Sequence, residues 1–467
     1  MDKRRLSRRD FLRLSALAAA GVTAAAYMPG CAPATPKVEG NATPAPGGQK
    51  ELIVHWRTDA TEMGILEPMW REFEQEFPEY KIKAVYTSED EHDKKTEMMI
   101  AAGTPPAMWF CAGYKSQAAY GEEGQLMVLN SYIDRDQYDM TDFYEDSKTV
   151  AQWGEDWIGL PISVVPVVLI YNKTLFDEAG VPYPTTDWND KGWSWETLLE
   201  KAQALTKEEG GKTTQFGLGG IHAQRYAVRN FGTNYWANEE SRYPEKMELT
   251  PALIDAFQFM ADLQNKWKVM PTPGQTEALA AGAPSPFMSG KVAIEMNGIW
   301  VLSQYAEIEA FEWDVAALPY PIFMGHDLER TDWYYLDALS AFNGTQYPDG
   351  AWELLKFHCR PENMLKYPLG VGFIPARQSL AKDYANLLKA QFGMSAESAQ
   401  PIVDAAGIES PNQAAFLPHW TEVYEKGIKP SLDNIMLGEI SAEDGAKAME
   451  PVVNKMLQEA RTAHGLT

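Results

Sequence analysis

Leu52-Ile53-Val54-His55-Trp56 opens a run that decides the fold class. It continues through residues 67–77, where Met69, Trp70, Phe73 and Phe77 recur at helical spacing, to the strand-like Lys81-Ile82-Lys83-Ala84-Val85-Tyr86. Residues 96–102 read as a second helix, stopped by Gly103-Thr104-Pro105-Pro106, and Ala107-Met108-Trp109-Phe110-Cys111 as a buried strand. Strand, helix, strand, helix, strand is the order of an α/β domain whose parallel sheet is covered by helices on both faces. In such sheets ligands sit beyond the carboxyl ends of the strands, where strand order reverses. Asp59, Glu62, Tyr114 and Lys115 each follow a predicted strand and are the first candidates for a site.

Further along, Val164 to Tyr171 is an apolar, β-branched run that Pro166 should break, followed by a helix over 173–179. A second α/β region ends at the strand-like Trp313-Asp314-Val315-Ala316-Ala317-Leu318-Pro319. Long helices are predicted over 252–267, 351–359 and 442–463, the last interrupted at Pro451. No internal repeat is visible. The chain has 467 residues, 45% of them hydrophobic. That is more than one core holds, so two lobes are expected.

The N-terminus carries Lys3, Arg4, Arg5, Arg8, Arg9 and Arg13 ahead of an Ala-rich apolar stretch. Ser7-Arg8-Arg9-Asp10-Phe11-Leu12-Arg13 resembles a twin-arginine export signal, and Met28-Pro29-Gly30-Cys31 a lipobox. In the latter Gly30 fits, while Met28 and Pro29 depart from the usual residues. Residues 1–30 are therefore expected to direct export, with Cys31 acylated, and residues 31–50, rich in Pro, Ala, Gly and Thr, to form a flexible tether. No later stretch is long and apolar enough to span a bilayer. The formal charge of −24 repels phosphate backbones, so nucleic acid is not an expected partner.

Motifs for catalysis are missing. There is no His-Glu-x-x-His, Cys-x-x-Cys, Gly-x-Ser-x-Gly or phosphate loop. The seven histidines lack the i, i+4 spacing of a helical metal site, and no metal or cofactor is expected. Asp187-x-Asn189-x-Lys191-Gly192 fails as a calcium loop, because a lysine takes a ligand position and Leu198 stands where a bidentate Glu belongs. Cys111 and Cys359 read as small buried hydrophobes rather than a disulfide. Among fifteen tryptophans, Trp70, Trp267 and Trp352 lie at helical spacing and read as core. Tyr235-Trp236, Trp300 and Trp333 fall in turn-rich sequence; Trp300 follows Asn297-Gly298 and is hard to place in a core. Such rings offer a flat apolar face to a sugar, with Asp, Asn and Arg nearby for its hydroxyls.

The ordered segments resemble the extracellular solute-binding proteins of family 1, the maltose-binding-protein-like receptors of ABC importers. The likeness rests on Phe73-Glu74-Gln75-Glu76-Phe77-Pro78-Glu79-Tyr80-Lys81-Ile82-Lys83, Ala101-Ala102-Gly103-Thr104-Pro105-Pro106 and Gly159-Leu160-Pro161. Its most specific piece is Ile170-Tyr171-Asn172-Lys173-Thr174-Leu175-Phe176-Asp177-Glu178-Ala179-Gly180-Val181. Trp193-Ser194-Trp195-Glu196-Thr197-Leu198, Phe287-Met288-Ser289-Gly290-Lys291-Val292-Ala293-Ile294, Ala351-Trp352-Glu353-Leu354-Leu355-Lys356-Phe357 and Ile374-Pro375-Ala376-Arg377 complete the series.

The resemblance implies a two-lobed periplasmic-binding-protein fold of type II, each lobe a mostly parallel sheet flanked by helices, joined by hinge strands. The N-terminal lobe would hold 51–165 and 319–360 and the C-terminal lobe 166–318 and 361–467, with crossings near 163–168, 318–321 and 359–367. The ligand positions it implies are Asp59, Tyr114, Lys115, Arg225, Tyr226, Trp236, Trp300 and Asp337, while Val165 stands where sugar-binding relatives often have a polar residue. The implied function is that of a monomeric, non-enzymatic receptor. It would capture a sugar or oligosaccharide outside the cytoplasm, lipid-anchored to the membrane or periplasmic, and deliver it to an ABC permease. The alternative from the residues alone is a secreted glycoside hydrolase or other carbohydrate-active enzyme; turnover of oligosaccharides separates the two. A purely structural surface lipoprotein would have no use for an aromatic-lined hinged pocket.

Overall fold

The structure is a computed structural model that describes residues 48–57, 60–110, 116–221, 227–238, 241–281, 283–411 and 417–466. The expected export signal, Cys31 and most of the tether lie outside these residues. Lys50, expected at the end of the tether, is already in the first strand, paired with Tyr80.

Strand β1 (Lys50–Arg57) buries Leu52, Val54 and Trp56 and pairs in parallel with β2 (Tyr80–Thr87). Helix α1 (Ala60–Glu76) connects them and buries Leu66, Met69, Trp70 and Phe73, a stripe at three- and four-residue spacing. The helix starts well before the predicted 67. Gly64 and Pro68 lower its intrinsic propensity, and the apolar stripe overrides them. Helix α2 (Glu89–Ala101) likewise begins earlier than predicted and ends at Gly103, whose φ of 71° favours glycine. Strand β3 (Met108–Phe110) adds in parallel to the other side of β1. The order β2-β1-β3 makes the carboxyl end of β1 a switch point.

The chain then enters β4 (Leu160–Asn172), thirteen residues all buried. The break expected at Pro166 does not occur. Residues 160–166 pair with β9 (Trp333–Ser340), and from Val167 onward the partner is β7 (Val292–Gly298). Pro166 falls at this change of partner, where its missing N–H costs least. Pro161 borders a bulge that leaves Ile162 unpaired with β9. The first part of β4 is flanked on its other side by β10 (Ile374–Pro375), the second by β8 (Trp313–Ala316).

Two halves follow from this one strand. In the first, β2, β1, β3, β9 and β10 surround the beginning of β4. In the second, β7 and β8 flank its end, and β6 (Lys212–Ile221) runs parallel to β7 with β5 (Lys207–Glu209) at the edge. Short β11 (Ser410–Pro411) extends β9. Together these form an eleven-stranded mixed sheet.

Helices cover both halves. Short α3 (Gln117–Glu122) follows β3, and α4 (Lys173–Ala179) follows β4. Helix α5 (Trp195–Leu205) packs so closely on β6 that a Cβ at Gly217 would lie 1.9 Å from the Ala202 carbonyl oxygen. Helix α6 (Pro251–Asn265) buries Phe257, Phe259 and Met260, and α7 (Pro348–His358) buries Trp352 and Leu355. The five-residue α8 (Tyr367–Val371) packs on α1, α9 (Ala396–Ile408) on β4 and β8, and α10 (Lys429–Met436) on α6. The last helix, α11 (Ala442–Ala463), is continuous through Pro451. That proline is exposed, while Ala446, Met449, Val453 and Leu457 bury the opposite face and hold the helix together. No described helix is long and apolar enough to cross a membrane.

Candidate binding site at the strand ends

Arg57 is the last residue of β1, at the switch point, and Glu62 lies in the first turn of α1. Because β9 runs antiparallel to β3, its early residues project beyond the carboxyl end of β3. Asp337 is placed there. Ser163 of β4 donates a hydrogen bond to its Oδ2 at 2.7 Å. Burial pushes the Asp337 carboxyl up to about 6, against the pull of that hydrogen bond and the Arg57 charge.

Tyr367, opening α8, faces the charges of Glu62, Asp337 and Arg57, and burial holds its phenol protonated. Its ring stands edge-on to Trp56, with centroids 5.2 Å apart. The Tyr367 hydroxyl and the Trp56 indole N–H are both buried, and a side-chain hydrogen bond from Trp56 to that hydroxyl opposes the effect of burial on the phenol.

The second half contributes Trp300, just beyond the carboxyl end of β7. Its half-buried indole lies over Gly298, where a Cβ would stand 1.8 Å from the ring. Only glycine permits that approach. The indole meets Tyr335 of β9 at 5.5 Å, and Tyr335 meets Trp333 at 5.0 Å, both edge-to-face. Tyr335 and Asp337, two residues apart on a strand, share a face. On β7 itself, Glu295 accepts hydrogen bonds from the Tyr305 hydroxyl and, at 3.3 Å, from Asn297. Burial pushes its carboxyl up to about 7.

Of the residues singled out in the sequence, Asp59, Tyr114, Lys115, Arg225 and Tyr226 lie outside the described residues, as does Cys111. Trp300 and Asp337 are brought together through Tyr335. Trp236 is 3% exposed, tilted against Tyr235 and edge-on to Trp420, away from this group of contacts. Val165 is buried opposite Tyr335. Cys359 is a buried free thiol, and its sulfur approaches the Pro161 carbonyl. Arg57, Ser163, Tyr335 and Tyr367 were not singled out. Arg57 could have been found as the residue ending the first strand and Tyr335 by its alternation with Asp337, whereas nothing local marks Tyr367.

The model of the bacterial extracellular solute-binding protein family matches residues 69–391. The chain belongs to that family. Binding proteins of Brucella abortus and Brucella suis are each 26% identical to the solute-binding protein over 234 residues, 48% of this chain. Those matches span 52%, about half, of the relatives' own length. Among solved structures, an ABC substrate-binding protein from Listeria monocytogenes in complex with cycloalternan superposes with a TM-score of 0.72 at 20% identity, covering 88% of this chain and 99% of that one. The maltotriose-bound maltose/maltodextrin-binding domain from Bdellovibrio bacteriovorus gives 0.69 at 16% identity, covering 88% and 100%. The fold of the solute-binding protein is thus the two-lobed fold of periplasmic binding proteins.

Proposed function

We propose that this solute-binding protein captures a carbohydrate between its two halves and hands it to the permease of an ABC importer. The observation that carries the reading is the convergence of Trp300 and Tyr335 with Asp337, Arg57 and Glu62 at the carboxyl ends of strands from both halves. Aromatic faces suit the C–H face of a sugar ring, and carboxylates and a guanidinium suit its hydroxyls. The bound sugars in the Listeria and Bdellovibrio structures support the same ligand class.

The partner change between Pro166 and Val167 supports a hinge in β4, with lobes 51–165 and 166–318 on either side of it. Contacts beyond residue 360 support a later return crossing. Ile374 pairs with Val164, and Ser379 and Arg377 bind Asp142, which supports keeping residues up to α9 with the first half. Ligand contacts to both halves would favour a closed form, which the permease recognises. Thermal-shift screening against an oligosaccharide panel tests the ligand class, since a ligand of the native state raises the melting temperature. Turnover of the sugar without a stable complex would overturn it.

The arginine pair and Cys31 support export and a lipid anchor. Wild-type protein should fractionate with membranes and the Cys31→Ser variant should not; wholly soluble wild-type protein would refute the anchor.

A further inference from the structure

Glu122 ends α3, which belongs to the first half: Tyr120 of the same helix packs edge-on against Trp109 of β3. Its carboxylate is met by side chains from the second half. His464 follows α11, which packs on α6 and α10, and its Nε2 lies 2.8 Å from Glu122 Oε1. His419 precedes Trp420, whose ring packs on Tyr235 and Trp236, and its Nε2 lies 3.1 Å from Glu122 Oε2. The Tyr243 hydroxyl donates to Glu122 Oε1 at 2.6 Å, while its ring lies 4.5 Å from that of His464. Beside this group Arg242 lies 3.9 Å over the ring of Trp153, a second contact between the halves.

We propose that Glu122, His419 and His464 form a site for a divalent transition-metal cation of the zinc type that ties the two halves together. One ligand atom from each residue lies within 4.8 Å of the other two. Bonds of roughly 2.0–2.2 Å at tetrahedral angles set ligand atoms ~3.3–3.6 Å apart, so the two nitrogen–oxygen contacts must open slightly while the imidazole nitrogens draw together. The imidazoles are 34% and 35% exposed, with room to turn by that amount, while the Glu122 side chain is only 11% exposed and fixed by Tyr243. Two imidazole nitrogens and one carboxylate oxygen suit zinc, cobalt or nickel rather than magnesium or calcium, with water completing the shell. The Tyr243 hydrogen bond orients the carboxylate as outer-shell partners of metal ligands do. Three elements far apart in sequence supply the donors, which is why histidine spacing along the chain gives no sign of the site.

The test is calorimetric titration of untagged, chelator-treated full-length protein with zinc chloride, beside magnesium chloride. The expected result is one equivalent of zinc bound, no magnesium, and at least ~10-fold weaker zinc binding in His464→Gln and His419→Gln. Cobalt in place of zinc should give the visible spectrum of a four-coordinate site. Melting in the presence of chelator verifies that each variant is folded; His464 lies just past a helix end, so His464→Gln should melt as wild type does. Absence of saturable zinc binding, or wild-type zinc affinity in both folded variants, would overturn the proposal and leave the three residues as a hydrogen-bonded contact only.

Discussion

The Trp300 indole meets the Tyr335 ring edge-to-face across 5.5 Å, joining a residue beyond the end of β7 in one half to a residue of β9 in the other. Any movement of the halves about β4 changes this contact. A ligand lying on the indole would therefore sense, and be sensed by, the angle between them.

Trp300→Ala removes the proposed stacking face while leaving the buried core intact. Loss of one stacked aromatic costs about 1–3 kcal/mol, roughly a ten- to hundredfold weaker sugar affinity. Circular dichroism should be unchanged. If the variant unfolds while its folded fraction binds normally, the indole is core and not cleft.

Gly298→Ala tests the same platform without touching the ring chemistry. The added methyl would stand 1.8 Å from the indole and must displace it. Affinity should fall about as far as in Trp300→Ala, and the double variant should be no worse than either single one, because both remove one interaction. Wild-type affinity would show that the position of the ring is irrelevant.

Asp337 gives a pH dependence whose sign is fixed. Sugar hydroxyls donate to a carboxylate, and burial raises this carboxyl to about 6. Affinity should thus weaken as pH falls through about 6 and level off above it. The stability linkage runs the other way: with a raised folded pKa, the contribution is complete below the unfolded value and is lost as pH rises through about 6. Asp337→Asn should therefore flatten the affinity profile at a reduced level without lowering the melting temperature at neutral pH. Calorimetry across this range reads both, and a flat wild-type profile would remove Asp337 from the site.

Arg330 braces the segment that follows β8. It donates to Asp332 at 2.6 Å and to the carbonyls of Leu318 and Trp188, and both charged side chains are nearly fully buried. Arg330→Met leaves Asp332 buried with Asn230 but without its bonded cation, which should cost about 3–5 kcal/mol in urea unfolding. Adding Asp332→Asn should recover part of that loss; no loss in the single variant would contradict the brace.

Elements were legible in the sequence where local pattern and tertiary packing agree. The strands at 52–56 and 81–86 and the helix at 173–179 were legible because their apolar residues keep the period of the element. Prolines misled twice in the same way. Pro166 and Pro451 argue locally for a break, yet one sits where a strand changes partner and the other on a solvent face, so neither interrupts its element. Trp300 could be picked out because Asn297-Gly298 precedes it, and Asp337 through the family resemblance. The same turn-rich signal at Tyr235-Trp236 pointed outward, but Phe257 and Trp420 from distant segments close over those rings. Arg57 and Tyr367 become neighbours only through the sheet order and the return of the chain to α1, which no local window contains.

The most direct test is titration calorimetry of the mature protein with a panel of oligosaccharides, including maltotriose and cycloalternan, on wild type and Trp300→Ala in parallel. Saturable one-to-one binding of at least one sugar to wild type, without turnover, is expected, with a roughly ten- to hundredfold weaker Kd in the variant. Failure of every sugar to bind, or equal affinity in the two proteins, would contradict it.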